Sequence, residues 1–400
     1  VDQFSALPAD ATRLSGEFHE TQPSPAPGLP VENDCIADPS DLIACRTLLR
    51  GGSRSFFAAS YLLPGHIARP ASALYAFCRV ADDAVDTGDA RRGLEQLHER
   101  LEGIYAGRPA DHPADRAFTD VVDQLAIPRA LPAALLEGFA WDVQERSYET
   151  LADVLAYAAR VAGTVGAMMT LVMGQRDPGV LSRACDLGAA MQLTNIARDV
   201  GEDAANGRLY LPREWLVESG IDPDAWLASP RFSPALGEVI QRLLNAAEML
   251  YRRAAVGIAR LPRRCRPGIH AARLLYAEIG NELSRSGLDS VSRRAVVPAG
   301  RKLRLCIDAV LAAMGEGKTR LDSPPLTETR FLVEAVHGTA PDGLRGVPEL
   351  PTTERLLRDA LHDDVRGWSW AMTLFTRLEA RQRRGNAMHG EGAFGAAHAE

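Results

Sequence analysis

The chain reads as an all-α protein, and three observations predict this. Alanine, leucine and arginine dominate its 400 residues, and all three favour helix. β-Branched and aromatic residues are not gathered into alternating runs, so nothing reads as a strand. Apolar residues recur instead at three and four between Gly and Pro breaks. A hydrophobic content of 46% suffices for a real core, in one large domain or two.

Taken in order, residues 1–38 are polar and proline-rich, with PSPAPGLP at 23–30, and are expected to be disordered. Ser40 is the expected N-cap of a helix through Leu49 that Gly51 and Gly52 close. The segment SRSFFAASYLLP (53–64) follows. Its Ser53, Arg54 and Ser55 either cap a helix or hold an anion. A helix is predicted over 71–86, ASALYAFCRVADDAVD, with Leu74, Phe77, Cys78, Ala81 and Val85 on its buried side. Amphipathic helices occupy 91–135, and another runs from about 132 to 145 with Glu137 and Asp142. Residues 151–173 make one long helix whose Gly163 and Gly166 admit either a neighbouring helix or a slender apolar ligand. A helix over 178–204 ends at Asn206-Gly207, which hands the chain to Arg208 and Tyr210. These two are expected to close over the mouth of a site. Helices at 234–260, 267–285 and 300–314 complete the domain, 39–315. Residues 316–352 read as a linker. In 353–400, Leu357, Leu361, Val365, Trp368, Met372 and Phe375 mark an amphipathic helix with a basic end. That helix would pack back on the domain, dock a partner or lie on a membrane.

Several functions are disfavoured at once. A net charge of −7 is a poor footprint for nucleic acid. The six cysteines are scattered, and the nine histidines form no HExxH. There is no P-loop, GxSxG elbow or GxGxxG. No segment reads as long enough to span a bilayer, the run Val161–Met173 being short and small-residue rich. The N-terminus lacks the pattern of a secretory signal. A reducing cytoplasm is the expected location, with any membrane contact peripheral and on the cytoplasmic face.

Two helix faces carry the chemistry. Tyr75, Arg79, Asp82 and Asp86 follow a 4-3-4 spacing and share an arc of roughly 60°. Gln192, Asn195, Asp199 and Asp203 share one of roughly 80°. Paired carboxylates on two helices suit Mg²⁺ held between protein and a polyanion, since Mg²⁺ takes few protein ligands and shares a phosphate. Asn195 adds a neutral oxygen. Arg79 and Arg198, with Ser53, Arg54 and Ser55, offset the remaining charge. No nucleophile stands beside a base, so the expected chemistry is departure of a diphosphate. The resulting carbocation needs a dry aromatic pocket, for which Tyr75, Phe56 and Tyr157 are candidate walls, each also readable as plain core.

These residues resemble the squalene/phytoene synthase family. The matching stretches are SRSFFAASYLLP, ALYAFCRVADDAVD, EGFAWD, VAGTVGAMM, QLTNIARDVGEDAANGRLYLP and VSRRAVV, in family order over about 45–305. Their wording is most similar to the bacterial phytoene synthases. The resemblance implies an isoprenoid synthase fold, a helical bundle around a central apolar cavity. It implies Mg²⁺ (or Mn²⁺) on Asp82, Asp86, Asn195, Asp199 and Asp203. It implies substrate or diphosphate contacts at Tyr75, Arg79, Gln192, Arg198 and the 53–55 segment, and more loosely at Tyr276 and Arg293. The implied reaction joins two geranylgeranyl diphosphates through a cyclopropylcarbinyl diphosphate to phytoene, without NADPH, for carotenoid synthesis. Contact with other enzymes of that pathway is a further expectation. The alternatives are a squalene or dehydrosqualene synthase using farnesyl diphosphate, or a non-catalytic binding protein of the same fold.

Overall fold

The computed structural model describes residues 35–86, 89–315, 321 and 323–338, and their regular structure is entirely helical. The helices in order are α1 (Pro39–Gly52), α2 (Arg54–Ser60), α3 (Gly65–Asp86), α4 (Ala90–Tyr105), α5 (Pro113–Gln124), α6 (Ala130–Val143), α7 (Leu151–Ala158) and α8 (Thr164–Val172). Then come α9 (Pro178–Arg198), α10 (Val200–Ala205), α11 (Arg213–Glu218), α12 (Pro223–Ala228), α13 (Pro234–Ile258), α14 (Arg266–Arg285), α15 (Ala299–Ala313) and α16 (Arg330–His337).

Local chemistry corrects several expected boundaries. The cap of α1 is Asp38, not Ser40: its carboxylate accepts from the N–H groups of Ser40 and Asp41, and Asp41 completes a capping box. The N–H groups of Ile36 and Ala37 donate to the Asp120 carboxylate, so these two residues are tied to the domain ahead of the expected boundary at 38. The predicted 151–173 helix holds a π turn at Ala159–Gly163 between α7 and α8. Its 22 residues are long and apolar enough to cross a membrane, against the sequence reading, yet more than half of that stretch is buried inside the fold. Gly166 meets the Ala184 carbonyl of α9 and Gly163 meets Leu332, so both glycines admit protein neighbours, and Gly166 also borders the cavity described below. Residues 327–338, expected in a linker, form a 3₁₀ turn and α16, with Leu332, Val333 and Val336 buried. The amphipathic segment at 353–400 lies outside the described residues.

Two apolar clusters build the core. One gathers α3, α4, α5, α6 and α8, with Phe77 stacked on Phe118 at 4.3 Å. The other gathers α9, α13 and α14 with the loops after α10. A cavity of about 290 Å³ lies between them, bordered by residues of both.

Candidate active site

The cavity follows α9. From its polar end inward, α9 lines it with Asn195, Gln192, Met191, Gly188, Leu187, Ala184, Arg183 and Val180. Across from them stand Tyr75 and Cys78 of α3, the π turn and α8, Ile258 at the end of α13 and Leu261 beyond it. Apart from the polar end and Arg183, the wall is almost wholly apolar.

Three aromatic rings rim the polar end. Phe56 stacks on Tyr276 at 5.0 Å and meets Tyr75 edge-on at 6.2 Å. Burial pushes the Tyr75 hydroxyl up to about 12, so it stays protonated. A Cβ on Gly52 would sit 2.3 Å from the Tyr75 oxygen, so that glycine serves close approach rather than chain reversal. Ser53 is both a helix cap and a site residue: its oxygen accepts from the Phe56 N–H, and its side chain hydrogen-bonds Tyr276. Ser55 is half-buried in the first turn of α2. The side chains of Arg54 and Asp86 lie outside the described ones; their backbones belong to α2 and α3.

On α3, Arg79 pairs with Asp82 at 3.1 Å and with Asp83 at 2.6 Å, all three half-exposed. Asp83, whose spacing puts it about a quarter turn off the stripe of Tyr75, Arg79, Asp82 and Asp86, thus shares the arginine. The second face does not sit on one continuous helix. α9 ends at Arg198, and Asp199, with φ −106° and ψ 15°, joins it to α10. The N–H groups of Asp199 and Asp203 still reach the carbonyls of Asn195 and Asp199, at 2.9 and 2.8 Å, so the acidic side survives the break. The Gly201 N–H turns outward to the Ser290 carbonyl at 3.0 Å.

That contact brings an arginine the sequence reading missed. Arg294 Nε meets Asp199 at 2.9 Å, and its Nη1 meets Glu202 at 3.2 Å. Arg198 holds the same Asp199 carboxylate, with Nε–Oδ1 at 2.7 Å. Arg293, the expected residue, is exposed and donates to the Ser286 carbonyl instead. The motif VSRRAVV offers two adjacent arginines, and only the path of the loop decides between them.

Asp203 is the unbalanced group. Burial, with Asp199 and Glu202 close by, pushes its carboxyl up to about 7, against a partial pull from Arg208. Arg208 thus lies near the aspartates, as expected. Tyr210 does not close the mouth: it is buried, stacks on Tyr157 at 5.0 Å, and its hydroxyl donates to Asp142 at 2.7 Å. Tyr157 donates to the other Asp142 oxygen at 2.8 Å. It borders this aspartate rather than the cavity, which corrects its expected role as a wall. Asp142, present in EGFAWD and given no role there, organises a three-tyrosine cluster with Tyr148.

Among the described residues no three His, Cys, Asp or Glu side chains form a ready cation site. The donors nonetheless fit a hard divalent ion shared with a substrate. Asn195 Oδ1 is buried without a hydrogen-bond partner among the described residues. Two turns on, Asp203 carries a carboxylate that its surroundings disfavour as an anion. Oxygen donors short of positive charge are what such an ion completes.

Comparison with known proteins agrees with this geometry. A sequence model described as squalene/phytoene synthase matches residues 49–301. A phytoene synthase from Rhodobacter capsulatus is 52% identical over 304 residues, covering 74% of this chain and 90% of that protein. A 15-cis-phytoene synthase from Pantoea ananas is 39% identical, covering 67% of this chain and 89% of that protein. Among solved structures, a dehydrosqualene synthase with bound ligand is 31% identical with a TM-score of 0.62, covering 68% of this chain and 95% of that one. A squalene synthase from Alicyclobacillus acidocaldarius is 26% identical with a TM-score of 0.57, covering 62% of this chain and 94% of that one.

Proposed function

Because the chain belongs to the squalene/phytoene synthase family, we infer that it joins two geranylgeranyl diphosphates head to head to make phytoene. It is a prenyltransferase of isoprenoid and carotenoid synthesis. The observation that carries the chain length is the run of the cavity along α9. From Asn195 the cavity follows α9 for twelve residues to Arg183, about 18 Å of helix, with Val180 about one turn further on. Sixteen main-chain carbons advancing roughly 1.25 Å per bond reach about 19 Å, whereas the twelve of a farnesyl chain reach about 14 Å. The length of a C20 chain therefore matches this run of the wall, and a C15 chain falls short of it.

Asp82, Asn195, Asp199 and Asp203 would hold Mg²⁺, with Asp86 as the family's further ligand. Bound there, the ion would polarise the diphosphate as a Lewis acid and stabilise it as a leaving group. The rest is work of the side chains. Arg79, Arg198 and Arg294 present guanidinium groups where the departing diphosphate gathers charge. Tyr75, Phe56 and Tyr276 close the apolar cavity behind the reacting carbons, exclude water, and offer ring faces to a cation. Gln192 borders the same end. The reading needs no nicotinamide, because phytoene forms by proton loss rather than reduction. A product this apolar partitions into lipid, which supports peripheral contact with the cytoplasmic face of a membrane.

The test is direct. Purified full-length protein with Mg²⁺ should convert geranylgeranyl diphosphate to phytoene without NADPH, and farnesyl diphosphate far less well. A C30 hydrocarbon as the main product from an equal mixture would replace this reading with the farnesyl one.

A further inference from the structure

The match to the squalene/phytoene synthase sequence model runs to residue 301, and the packed core continues past it. Leu321 joins the first cluster, and Leu332, Val333 and Val336 are buried in it. Phe331 lies 5.1 Å from the guanidinium of Arg160 in the π turn. Just before α16 the backbone is caught by two arginines. Arg183 donates from Nη1 to the Ser323 carbonyl at 2.9 Å and from Nη2 to the Pro324 carbonyl at 3.1 Å. Arg253 donates from Nη2 to the same Pro324 carbonyl at 2.9 Å. Both arginines also meet one carboxylate: Arg183 Nε and Arg253 Nε lie 2.8 and 2.9 Å from Asp186 Oδ2. Asp186 is fully buried and Arg183 only 3% exposed.

A buried ion network of this kind is a poor source of stability, because desolvation offsets most of the attraction. Its placement offers another reason. Arg183 also lines the prenyl cavity, twelve residues and about 18 Å of helix from Asn195. That is close to the roughly 19 Å of a C20 chain. A guanidinium fixed by one carboxylate and two carbonyls cannot swing aside for a longer chain, as a free Leu or Met could.

We propose that Arg183 is the floor of the prenyl cavity, held in place by Asp186 and by the carbonyls of Ser323 and Pro324, and that this latch sets the longest prenyl chain accepted. The proposal deepens the function above and rests on its C20 reading. It makes Arg183 a specificity-determining residue whose position depends on backbone beyond the matched family region.

Arg183→Ala in the full chain tests it. The substitution leaves Asp186 paired with Arg253, a charge-balanced pair, so the fold has no uncompensated buried ion. The variant and wild type are compared on the C20 diphosphate and on the C25 homologue, five carbons longer. The expected result is a rise of about tenfold or more in the C25:C20 ratio of kcat/KM, with a cooperative melt retained. An unchanged ratio in a folded variant overturns the proposal. If Arg183→Ala does not fold, Arg183→Lys decides: it keeps the charge and loses the forked grip, and its ratio must also rise. Wild type that makes no C40 product from the C20 diphosphate would refute the function reading instead, leaving the two failures distinguishable.

Discussion

Gly201 lies against the backbone of the 290–294 loop beside the aspartates, and Gly201→Ala tests whether the contact there positions the acidic face. A Cβ at this position would lie 2.2 Å from the Val291 carbonyl oxygen and 2.8 Å from the carbonyl carbon and Cα. These are backbone atoms, so no side-chain rotation relieves the clash. Restoring ordinary contact requires the 290–294 loop and α10 to part by at least about 1 Å. Two interactions are then lost or lengthened: the Gly201 N–H to Ser290 bond at 3.0 Å and the Arg294–Asp199 pair at 2.9 Å. Overpacking of this kind costs about 1–3 kcal/mol, enough to lower the melting temperature by several degrees without unfolding a domain of this size. Activity should suffer more than stability. Displacing a catalytic group by about 1 Å costs on the order of 100-fold, and the move involves both Asp199 and Asp203. The assay is steady-state hydrocarbon formation from geranylgeranyl diphosphate, paired with a thermal melt. Gly300→Ala is the control, since a Cβ there meets nothing within 4 Å. Turnover within about threefold of wild type for Gly201→Ala would refute the claim that this approach positions the site.

Arg294→Ala should lower kcat/KM by more than tenfold, while Arg293→Ala should stay within about twofold; kinetics of the pair settles which arginine serves the site. Asp203 supplies a pH signature. Its folded pKa of about 7 lies above the unfolded value, so the native state binds the extra proton and this carboxyl lowers stability as pH rises from about 4 to 7. His270 acts oppositely: burial lowers its pKa to about 4, so it destabilises the fold as pH falls below about 6.5. The clean readout is therefore the melting difference between Asp203→Asn and wild type without metal. The variant's advantage should grow from pH 5 to 8 and shrink when Mg²⁺ is added. Asp142→Asn should cost about 1.5–3 kcal/mol, because one of the two tyrosine hydroxyls loses a charged acceptor; a melt within 1 °C of wild type would contradict the network.

What could be read in the sequence follows from what helical spacing encodes. Tyr75, Arg79 and Asp82 lie three and four apart inside one unbroken helix, so their shared face was visible from numbering alone. Gln192 and Asn195 were legible for the same reason. Asp199 and Asp203 were placed on the right face although the helix breaks between them, because the i to i−4 hydrogen bonds persist through the break. Spacing carries no information about partners distant in sequence. Nothing near Tyr157 or Tyr210 announces that both hydroxyls converge on Asp142, 15 and 68 residues away. Nothing in VSRRAVV separates Arg293 from Arg294, because a loop has no period. The segment at 323–338 looked like linker because Pro324, Pro325 and Gly338 frame it and α16 is only eight residues long. Its order comes from the carbonyl grip of Arg183 and Arg253, which no local pattern records.

The charge arrangement around the mouth explains why carboxylates and arginines are interleaved rather than segregated. Arg79 is held by Asp82 and Asp83, and Arg198 and Arg294 are held by Asp199. Each arginine that could meet a diphosphate is thus engaged by a carboxylate that could meet a cation. A diphosphate arriving alone would have to compete with those carboxylates for the guanidinium groups while facing Asp203 and Glu202. A cation arriving alone would compete with the arginines for Asp82 and Asp199. Arriving together, each would relieve the other's competition: Asp82 and Asp199 would serve the cation, leaving Arg79, Arg198 and Arg294 for the phosphate oxygens. By reciprocity, whatever factor the cation adds to diphosphate affinity, the diphosphate adds to cation affinity. The interleaving therefore favours loading of the complete metal–diphosphate pair over either partner, and it keeps the ionising machinery unassembled until a substrate with its leaving group is in place.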